Sequence, residues 1–153
     1  MQEIVIPAEQ AVFWLDGRGR WRNASGPFEN PRIIEYFHTS IRRDENGYHL
    51  RQERDGLIEK VYFRCEDTAL FVREVIFSEP ARLVLNTRRE LVLEPERLFI
   101  HNDQLYLRTA EGERVKFTER ALAALADAIE HDESGWRIAL GGARVPIREG
   151  TDT

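Results

Sequence analysis

An eight-residue pattern occurs twice in this chain, and it constrains the fold more than any other feature. Residues 43–50 read Arg-Asp-Glu-Asn-Gly-Tyr-His-Leu, and residues 131–138 read His-Asp-Glu-Ser-Gly-Trp-Arg-Ile. Both segments contain an Asp-Glu-x-Gly turn, then an aromatic residue, then an aliphatic residue two positions further on. Because a repeated structural unit leaves this kind of self-similarity in a sequence, the pattern predicts two copies of one folding unit.

The segments on either side of the two turns are also alike. An amphipathic helix is predicted before each turn, capped by Asn30 in the first copy and by Thr118 in the second. Each helix is expected to end at its Asp-Glu-x-Gly turn, where glycine can adopt a positive φ. A hairpin is predicted before each helix, with turns at Asp16-Gly17 and Asn102-Asp103, and a strand, a turn and a strand are predicted after it. The apolar helix faces consist of Ile33, Ile34, Phe37 and Ile41 in the first copy and of Phe117, Ala121, Leu122, Leu125, Ala128 and Ile129 in the second.

The predicted fold class is therefore α+β, with two tandem β-β-α-β-β repeats of mostly antiparallel strands and one helix per repeat. Further strands are predicted between the copies, at Leu70–Phe77, Leu83–Asn86 and Glu90–Leu93. Residues 1–95 are assigned to the N-terminal repeat with these intervening strands, and residues 96–153 to the C-terminal repeat. Because no Gly/Ser-rich linker separates the two halves, we expect them to pack as one compact body.

Composition narrows the class of protein. The chain has 153 residues, a formal net charge of -5 and a single cysteine, Cys65. One cysteine excludes an intrachain disulfide and a cysteine-based zinc site. The negative charge disfavours a general nucleic-acid binder, because such proteins carry a basic excess. No apolar run reaches the ~18 residues of a membrane span, and the first residues do not resemble a signal peptide, so we predict a cytoplasmic protein without a membrane partner.

Three arginines, Arg18, Arg20 and Arg22, alternate along the return strand of the first predicted hairpin. Side chains two positions apart on a strand point to the same face, so the three guanidinium groups are expected on one face and Trp21 on the other. Guanidinium groups bind phosphates and carboxylates, which makes these residues candidate ligands for a small anion or for an acidic protein. The alternative is a solvated strand face whose charge is balanced by nearby acidic residues.

The other reactive side chains are interpreted as structural. Glu66 and Asp67 are adjacent, and neighbouring strand residues point to opposite faces, so we expect a turn rather than a catalytic pair. The four histidines lack metal-binding spacing, and neither a phosphate-binding loop nor a serine-nucleophile motif is present. Cys65 alternates with apolar residues and is expected in the core. We therefore predict no catalytic residue, no metal site and no cofactor.

Several motifs in the first two thirds of the chain carry a family resemblance. A hairpin of the Asp-Gly-x-Trp type precedes a short helix, an Arg-Asp-x-x-Gly-x-Tyr-x-Leu turn and strand, and a Glu-Asp pair followed by an apolar-Phe pair. The residues concerned are Asp16, Gly17, Trp21, Phe37, Arg43, Asp44, Gly47, Tyr48, Leu50, Glu66, Asp67 and Phe71. In these residues the chain resembles the bacterial DUF1285 family over roughly residues 11–100. The resemblance implies a duplicated α+β fold, assembly into oligomers and a role in signalling, with no established activity.

Two functions from different classes are compatible with these observations. The first is a non-enzymatic regulatory, signalling or protein-interaction module that self-associates through an edge strand or through the seam between the copies. The second is a binder of a small anionic ligand, or an enzyme, that uses the arginine face or the same seam. Nucleic-acid binding ranks last because of the negative net charge.

Overall fold

The computed structural model describes residues 2–150. The chain folds into two compact units, Met1–Ala69 and Leu70–Thr153. Each unit combines one α-helix with many short strands, so the predicted mixed α+β class is confirmed. Neither α-helix within residues 2–150 is long and apolar enough to cross a membrane.

The first unit contains two four-stranded sheets and one α-helix. Its elements are β1 (Gln2–Ile6), a 3-10 turn (Ala8–Gln10), β2 (Phe13–Leu15), β3 (Trp21–Asn23), β4 (Gly26–Pro27), α1 (Pro31–Thr39), β5 (Ile41–Asp44), β6 (Gly47–Arg54), β7 (Leu57–Tyr62) and β8 (Arg64–Cys65). One sheet has the strand order β1-β7-β6-β5, and the other has the order β4-β3-β2-β8. The end strands β1 and β8 pair in parallel with β7 and β2, whereas the other pairs are antiparallel.

The second unit contains one seven-stranded and one three-stranded sheet. Its elements are β9 (Leu70–Ile76), β10 (Arg82–Leu85), β11 (Glu90–Val92), a 3-10 turn (Pro95–Arg97), β12 (Leu98–His101), β13 (Gln104–Arg108), β14 (Arg114–Phe117), α2 (Glu119–Leu125), a 3-10 turn (Ala126–Ala128), β15 (Ile129–Asp132), β16 (Gly135–Leu140), β17 (Ala143–Pro146) and β18 (Arg148–Glu149). The large sheet has the order β11-β10-β9-β14-β13-β12-β18, and the small sheet has the order β15-β16-β17. The helix α2 packs against β9 and β14.

The start of α1 agrees with the sequence analysis, but its end does not. The Asn30 side chain accepts hydrogen bonds from the backbone N–H groups of Arg32 and Ile33, as a helix cap does. The helix ends at Thr39, before the predicted stop. Ile41 was predicted on the apolar helix face, but it lies in β5 opposite Leu50. Burial of Ile41 in the β5–β6 pair stabilises the fold more than one further helical turn would.

The two Asp-Glu-x-Gly segments form hairpin turns rather than helix ends, so that part of the prediction was wrong. Asp44 lies opposite Gly47 across the β5–β6 pair, and Asp132 lies opposite Gly135 across the β15–β16 pair. In each turn the aspartate side chain accepts a hydrogen bond, 2.9 Å long, from the backbone N–H two residues on. Each glycine has the positive φ that favours this residue, 113° for Gly47 and 106° for Gly135.

The two predicted hairpins also exist, although the first has a longer loop. In the second, His101 lies opposite Gln104, so Asn102-Asp103 is a two-residue turn as predicted. In the first, Leu15 lies opposite Trp21, so residues 16–20 form the loop. The prediction of a two-residue turn at Asp16-Gly17 was therefore wrong, because the loop has five residues.

The interiors of the two units differ in composition. In the first unit the rings of Phe13, Trp21, Phe37 and Phe63 form a cluster with centroids 4.9 to 6.5 Å apart, mostly edge to face. Aromatic groups of this size fill the space between α1 and the β2–β3 hairpin. The interior of the second unit has more aliphatic side chains, among them Leu83, Leu98, Val115, Leu125 and Ile138, together with the buried aromatic rings of Phe71, Phe99, Tyr106 and Phe117.

Candidate functional site

The loop between β2 and β3 is organised around one buried carboxylate, that of Asp16. This residue is only 4% exposed. Its Oδ1 atom accepts hydrogen bonds from the backbone N–H groups of Arg18 and Arg20, both 2.9 Å long. Its Oδ2 atom accepts from the Nε atoms of Arg22 at 2.8 Å and Arg20 at 3.3 Å. Four N–H groups therefore converge on one carboxylate that has almost no contact with water. These hydrogen bonds hold the loop closed.

Because of these contacts, the three arginines are not arranged as predicted. Only Arg22 lies in β3, whereas Arg18 and Arg20 lie in the loop before it, so the three do not share one strand face. The physical reason is that the Asp16 carboxylate draws the loop backbone inward and delays the return strand to Trp21. Two of the three predicted anion ligands, Arg20 and Arg22, already face a carboxylate.

The hydrogen-bond partners of Asp16 keep its carboxylate ionised. Burial alone would raise its pKa, but the hydrogen bonds from the Arg22 side chain and from the backbone of Arg20 and Arg18 outweigh burial and lower the pKa below its usual value. Asp16 is therefore a permanent anion at neutral pH. It neutralises part of the positive charge that a bound anion would otherwise meet.

A second carboxylate, that of Glu66, forms hydrogen bonds between the same hairpin and the segment that follows β8. Its Oε2 atom accepts a hydrogen bond from Trp14 Nε1 at 3.1 Å, and its Oε1 atom accepts from the Gly17 backbone N–H at 3.2 Å. The partners are 49 and 52 residues away in the chain, so no local pattern could have revealed this role. Glu66 also contributes negative charge next to the arginine loop.

A cluster of titratable residues surrounds Asp44 on the β5–β6–β7 sheet. The Asp44 Oδ2 atom accepts hydrogen bonds from Tyr62 Oη at 2.7 Å and from Lys60 Nζ at 3.3 Å, and the buried His49 Nδ1 lies 3.8 Å away. The hydrogen bond from Tyr62 lowers the pKa of Asp44, and the same bond raises the pKa of Tyr62. These contacts link the end of β5 to β7 through side chains, across the sheet that both strands share.

The thiol of Cys65 is not poised to react. Burial, together with the negative charge of Asp67, raises its pKa to about 11. The reactive thiolate is therefore scarce at neutral pH. Among residues 2–150, no three His, Cys, Asp or Glu side chains converge as a metal site would require.

The sequence analysis missed one exposed feature, the edge strand β1. It lies at the end of its sheet, and both Ile4 and Val5 are exposed, at 42% and 53%. Adjacent strand residues point to opposite faces, so β1 offers apolar surface on both sides of its free edge. Its one charged residue, Glu3, lies 3.5 Å from Lys60 on the neighbouring strand β7.

The other sheet edges within residues 2–150 are shorter, and all of them except β11 and β15 contain an arginine or a proline. They belong to β4, β5, β8, β11, β15, β17 and β18, none of which exceeds four residues, whereas β1 has five. The opposite edge of the same sheet, β5, contains Arg42 and Arg43, and β17 ends in Pro146. Cationic and proline residues prevent strand addition at an edge. The strand β1 contains neither.

Comparison with known proteins confirms the family resemblance at the level of the fold. A crystal structure of a DUF1285 family protein from Silicibacter pomeroyi DSS-3 is similar to this chain, with a TM-score of 0.64 and 15% sequence identity over 96% of this chain and 84% of that one. A DUF1285 family protein from Shewanella baltica OS155 has a TM-score of 0.53 and 14% identity over 78% of this chain and 94% of that one. No family profile matches the sequence, and neither does any curated protein.

Proposed function

We propose that this chain is a non-enzymatic, cytoplasmic regulatory or signalling module that acts by binding proteins, and that it self-associates through the free edge of β1. The observation that supports this most directly is the exposure of Ile4 and Val5 on an edge strand with no lysine, arginine or proline. The backbone N–H and C=O groups on the outer side of such a strand can pair with another strand.

Two copies are suitable partners for each other at this edge. An antiparallel pairing of two β1 strands follows a two-fold axis, so each copy contributes the same surface and the contact is closed. The pairing would satisfy backbone groups on both strands and place Ile4 and Val5 beside side chains of the second strand, which shields them from water on one side. Each cross-strand pair of side chains contributes roughly 0.2 to 1 kcal/mol, which adds to the hydrogen bonds of the pairing.

The proposal is tested by the mass of the protein in solution. We expect wild type to have the mass of a dimer by light scattering at tens of micromolar, and the double variant Ile4→Lys/Val5→Lys to have the mass of a monomer. Lysine at an edge strand must be desolvated when a second strand pairs with it, which opposes association. A matched control is Val12→Lys, because Val12 is 80% exposed in the same unit but lies outside every strand. A monomeric wild type, or a dimeric double variant, contradicts the proposal.

We further infer that the two units are tandem copies of one motif, more extensive than the predicted β-β-α-β-β. Support comes from strand order: β4-β3-β2-β8 in the first unit corresponds to β14-β13-β12-β18 in the second. In both units the helix is followed by a three-stranded meander, β5–β6–β7 or β15–β16–β17. In both, a short last strand then pairs in parallel with the first strand of the hairpin. Superposition of the two units in an experimental structure tests this inference.

A second candidate function is the binding of a small anion by Arg18, Arg20 and Arg22. It is favoured by the exposure of Arg18 and Arg20 on one loop, although Asp16 and Glu66 weaken the local positive charge. Titration calorimetry with pyrophosphate tests it: the triple alanine variant of these residues should lose binding. The control replaces Arg32, Arg54 and Arg120, three exposed arginines elsewhere, and should keep it.

A further inference from the structure

The second unit contains an apolar cavity that the sequence analysis did not foresee. Its volume is about 240 Å³. It lies where the tip of the β12–β13 hairpin, the helix α2 and the β15–β16 hairpin come together. Its walls are formed by Ile100, Asp103, Gln104, Leu105, Leu122, Ile129 and Trp136.

Most of this lining is apolar, and one wall is an aromatic ring. Ile100 and Leu105 are cross-strand partners at the end of the β12–β13 hairpin. The Trp136 ring is in contact with His131, its cross-strand partner, with the ring centroids 4.2 Å apart. Trp136 therefore lines the cavity while its ring also packs against His131.

The two α-helices contribute different side chains to their surroundings. In the first unit α1 supplies Phe37, whose ring contacts Phe13 and Trp21. In the second unit the residues of α2 are Glu-Arg-Ala-Leu-Ala-Ala-Leu, and Leu122 is the helix residue that reaches the cavity. A mainly apolar depression with a few polar groups at its rim is a candidate ligand site.

The polar residues at the cavity restrict the class of ligand. Asp103 is exposed and lies in the Asn102-Asp103 turn with a φ of 61°. Its carboxylate is the one charged group among the lining residues, so the mouth of the cavity attracts a cation and repels an anion. An apolar cavity of about 150 Å³ is large enough for benzene, so the volume here admits a benzene ring with a short substituent.

We propose that this cavity binds a small arylalkylamine, with the aromatic ring between Trp136 and the aliphatic walls and the ammonium group at Asp103. The ring is transferred from water into an apolar site and stacks on the indole. The ammonium group remains partly in water at the mouth, where it pairs with the carboxylate at little cost in desolvation. No residue that lines the cavity belongs to β1, so this proposal does not depend on self-association.

The probe that tests the proposal is 2-phenylethylamine, with 2-phenylethanol as its neutral match. Binding is followed by the shift of the Trp136 indole ¹H–¹⁵N resonance. The chain has three tryptophans, and Trp14 and Trp21 serve as internal controls because both lie in the first unit. We expect 2-phenylethylamine to shift the Trp136 resonance alone and to bind about fivefold more tightly than the alcohol, as a partly exposed ion pair allows.

Two variants separate the contributions of the cavity and the carboxylate. Asp103→Asn should remove the preference for the amine while both probes still bind, since asparagine also tolerates a positive φ. Leu122→Trp should fill the space and abolish binding of both probes, and unchanged binding in a folded Leu122→Trp protein contradicts the proposal. The control Asp127→Asn removes another exposed carboxylate of the same unit and should leave both affinities unchanged. The proposal is also overturned if wild type binds neither probe, or if Asp103→Asn keeps the preference.

Discussion

At the scale of single residues, Asp16 and His49 are two buried ionisable groups whose contribution to stability depends on their partners. Both are nearly inaccessible, at 4% and 2% exposed. Asp16 is charged and surrounded by donors, whereas His49 lies among both positive and negative groups. Buried polar groups such as these stabilise a fold only while their partners remain in place. They therefore respond to mutation and to pH in different ways.

We predict that Asp16→Ala lowers the free energy of unfolding by about 2 to 4 kcal/mol, because the loop N–H groups and the Arg22 side chain lose a shared acceptor. Urea denaturation of the variant measures the loss. Asp127→Ala, at an exposed position, is the matched control and should stay within about 0.5 kcal/mol of wild type. A similar small effect for Asp16→Ala would show that the loop does not depend on this carboxylate.

His49 makes stability depend on pH. Burial lowers its pKa and the charges of Lys60 and Arg42 lower it further, while the Gly47 carbonyl and Asp44 partly oppose them. Because the pKa in the folded protein lies below the unfolded value of about 6.5, the unfolded chain binds more protons between the two. The stability from neutral His49 is therefore complete above about pH 6.5 and is lost as the pH falls towards the folded pKa.

We predict that wild type loses stability between about pH 7.5 and about pH 5.5 and that His49→Gln loses less, since glutamine does not titrate. Urea denaturation at the two pH values measures the difference. His131→Gln, an exposed position in the second unit, should retain the wild-type dependence. Equal slopes for wild type and His49→Gln would assign the pH dependence to other groups.

At the scale of elements, the two Asp-Glu-x-Gly turns have the same local geometry. Each joins antiparallel strands, each is closed by an aspartate hydrogen bond, and each places glycine at a φ above 100°. Beyond the turn their partners differ. Asp44 pairs with Lys60 and Tyr62, whereas Asp132 pairs with Arg137 at 2.6 Å. The backbone requirement is thus common to both turns, and the side-chain contacts are particular to each.

We predict that Gly47→Ala and Gly135→Ala each lower the free energy of unfolding by about 1 to 3 kcal/mol, because alanine is strained at these φ values even though no atom lies within 4 Å of the added Cβ. Thermal and urea unfolding measure the loss. Gly17→Ala is the control: its φ is outside the positive region, and its Cβ would meet Glu66 Oε1 at an ordinary 3.9 Å. Losses at Gly47 and Gly135 no larger than at Gly17 would contradict the backbone explanation.

The parts of the fold that sequence could predict are those specified by local chemistry. Asn30 and Thr118 cap their helices as predicted, and Asn102-Asp103 forms the expected two-residue turn. The end of α1 was wrong because Ile41 fits a helical spacing as well as a strand, and only its pairing with Leu50 decides between them. Short strands such as β8 and β18 carry too few residues for a periodic signal.

The candidate sites were less predictable, because they depend on contacts across the chain. Asp16 was identified in the hairpin, but its capture of Arg20 and Arg22 follows from a loop that closes later than the sequence suggests. The cavity near Trp136 needs three elements to meet and contains no reactive motif. The free edge of β1 becomes visible only when its parallel pairing with β7 is known.

At the scale of the whole molecule, the proposed self-association couples stability to concentration. A partner that binds the folded state stabilises it by mass action. We predict that the melting temperature of wild type rises between about 1 µM and about 100 µM protein, whereas that of Ile4→Lys/Val5→Lys stays constant. Differential scanning fluorimetry over this range measures both, with Val12→Lys expected to follow wild type. A wild-type melting temperature that does not vary with concentration would argue against the dimer.

The two edges of the β1-β7-β6-β5 sheet differ in charge, and this difference limits how many copies of the chain can join through the sheet. The β1 side is open to another strand, while the β5 side carries Arg42 and Arg43. If the proposed dimer forms through β1, each chain acts within this sheet as what polymer chemistry calls a monofunctional monomer, because one edge can couple and the cationic edge opposes coupling. Coupling of two such monomers consumes both reactive ends, so the reaction stops at the pair and no fibril can propagate through this sheet.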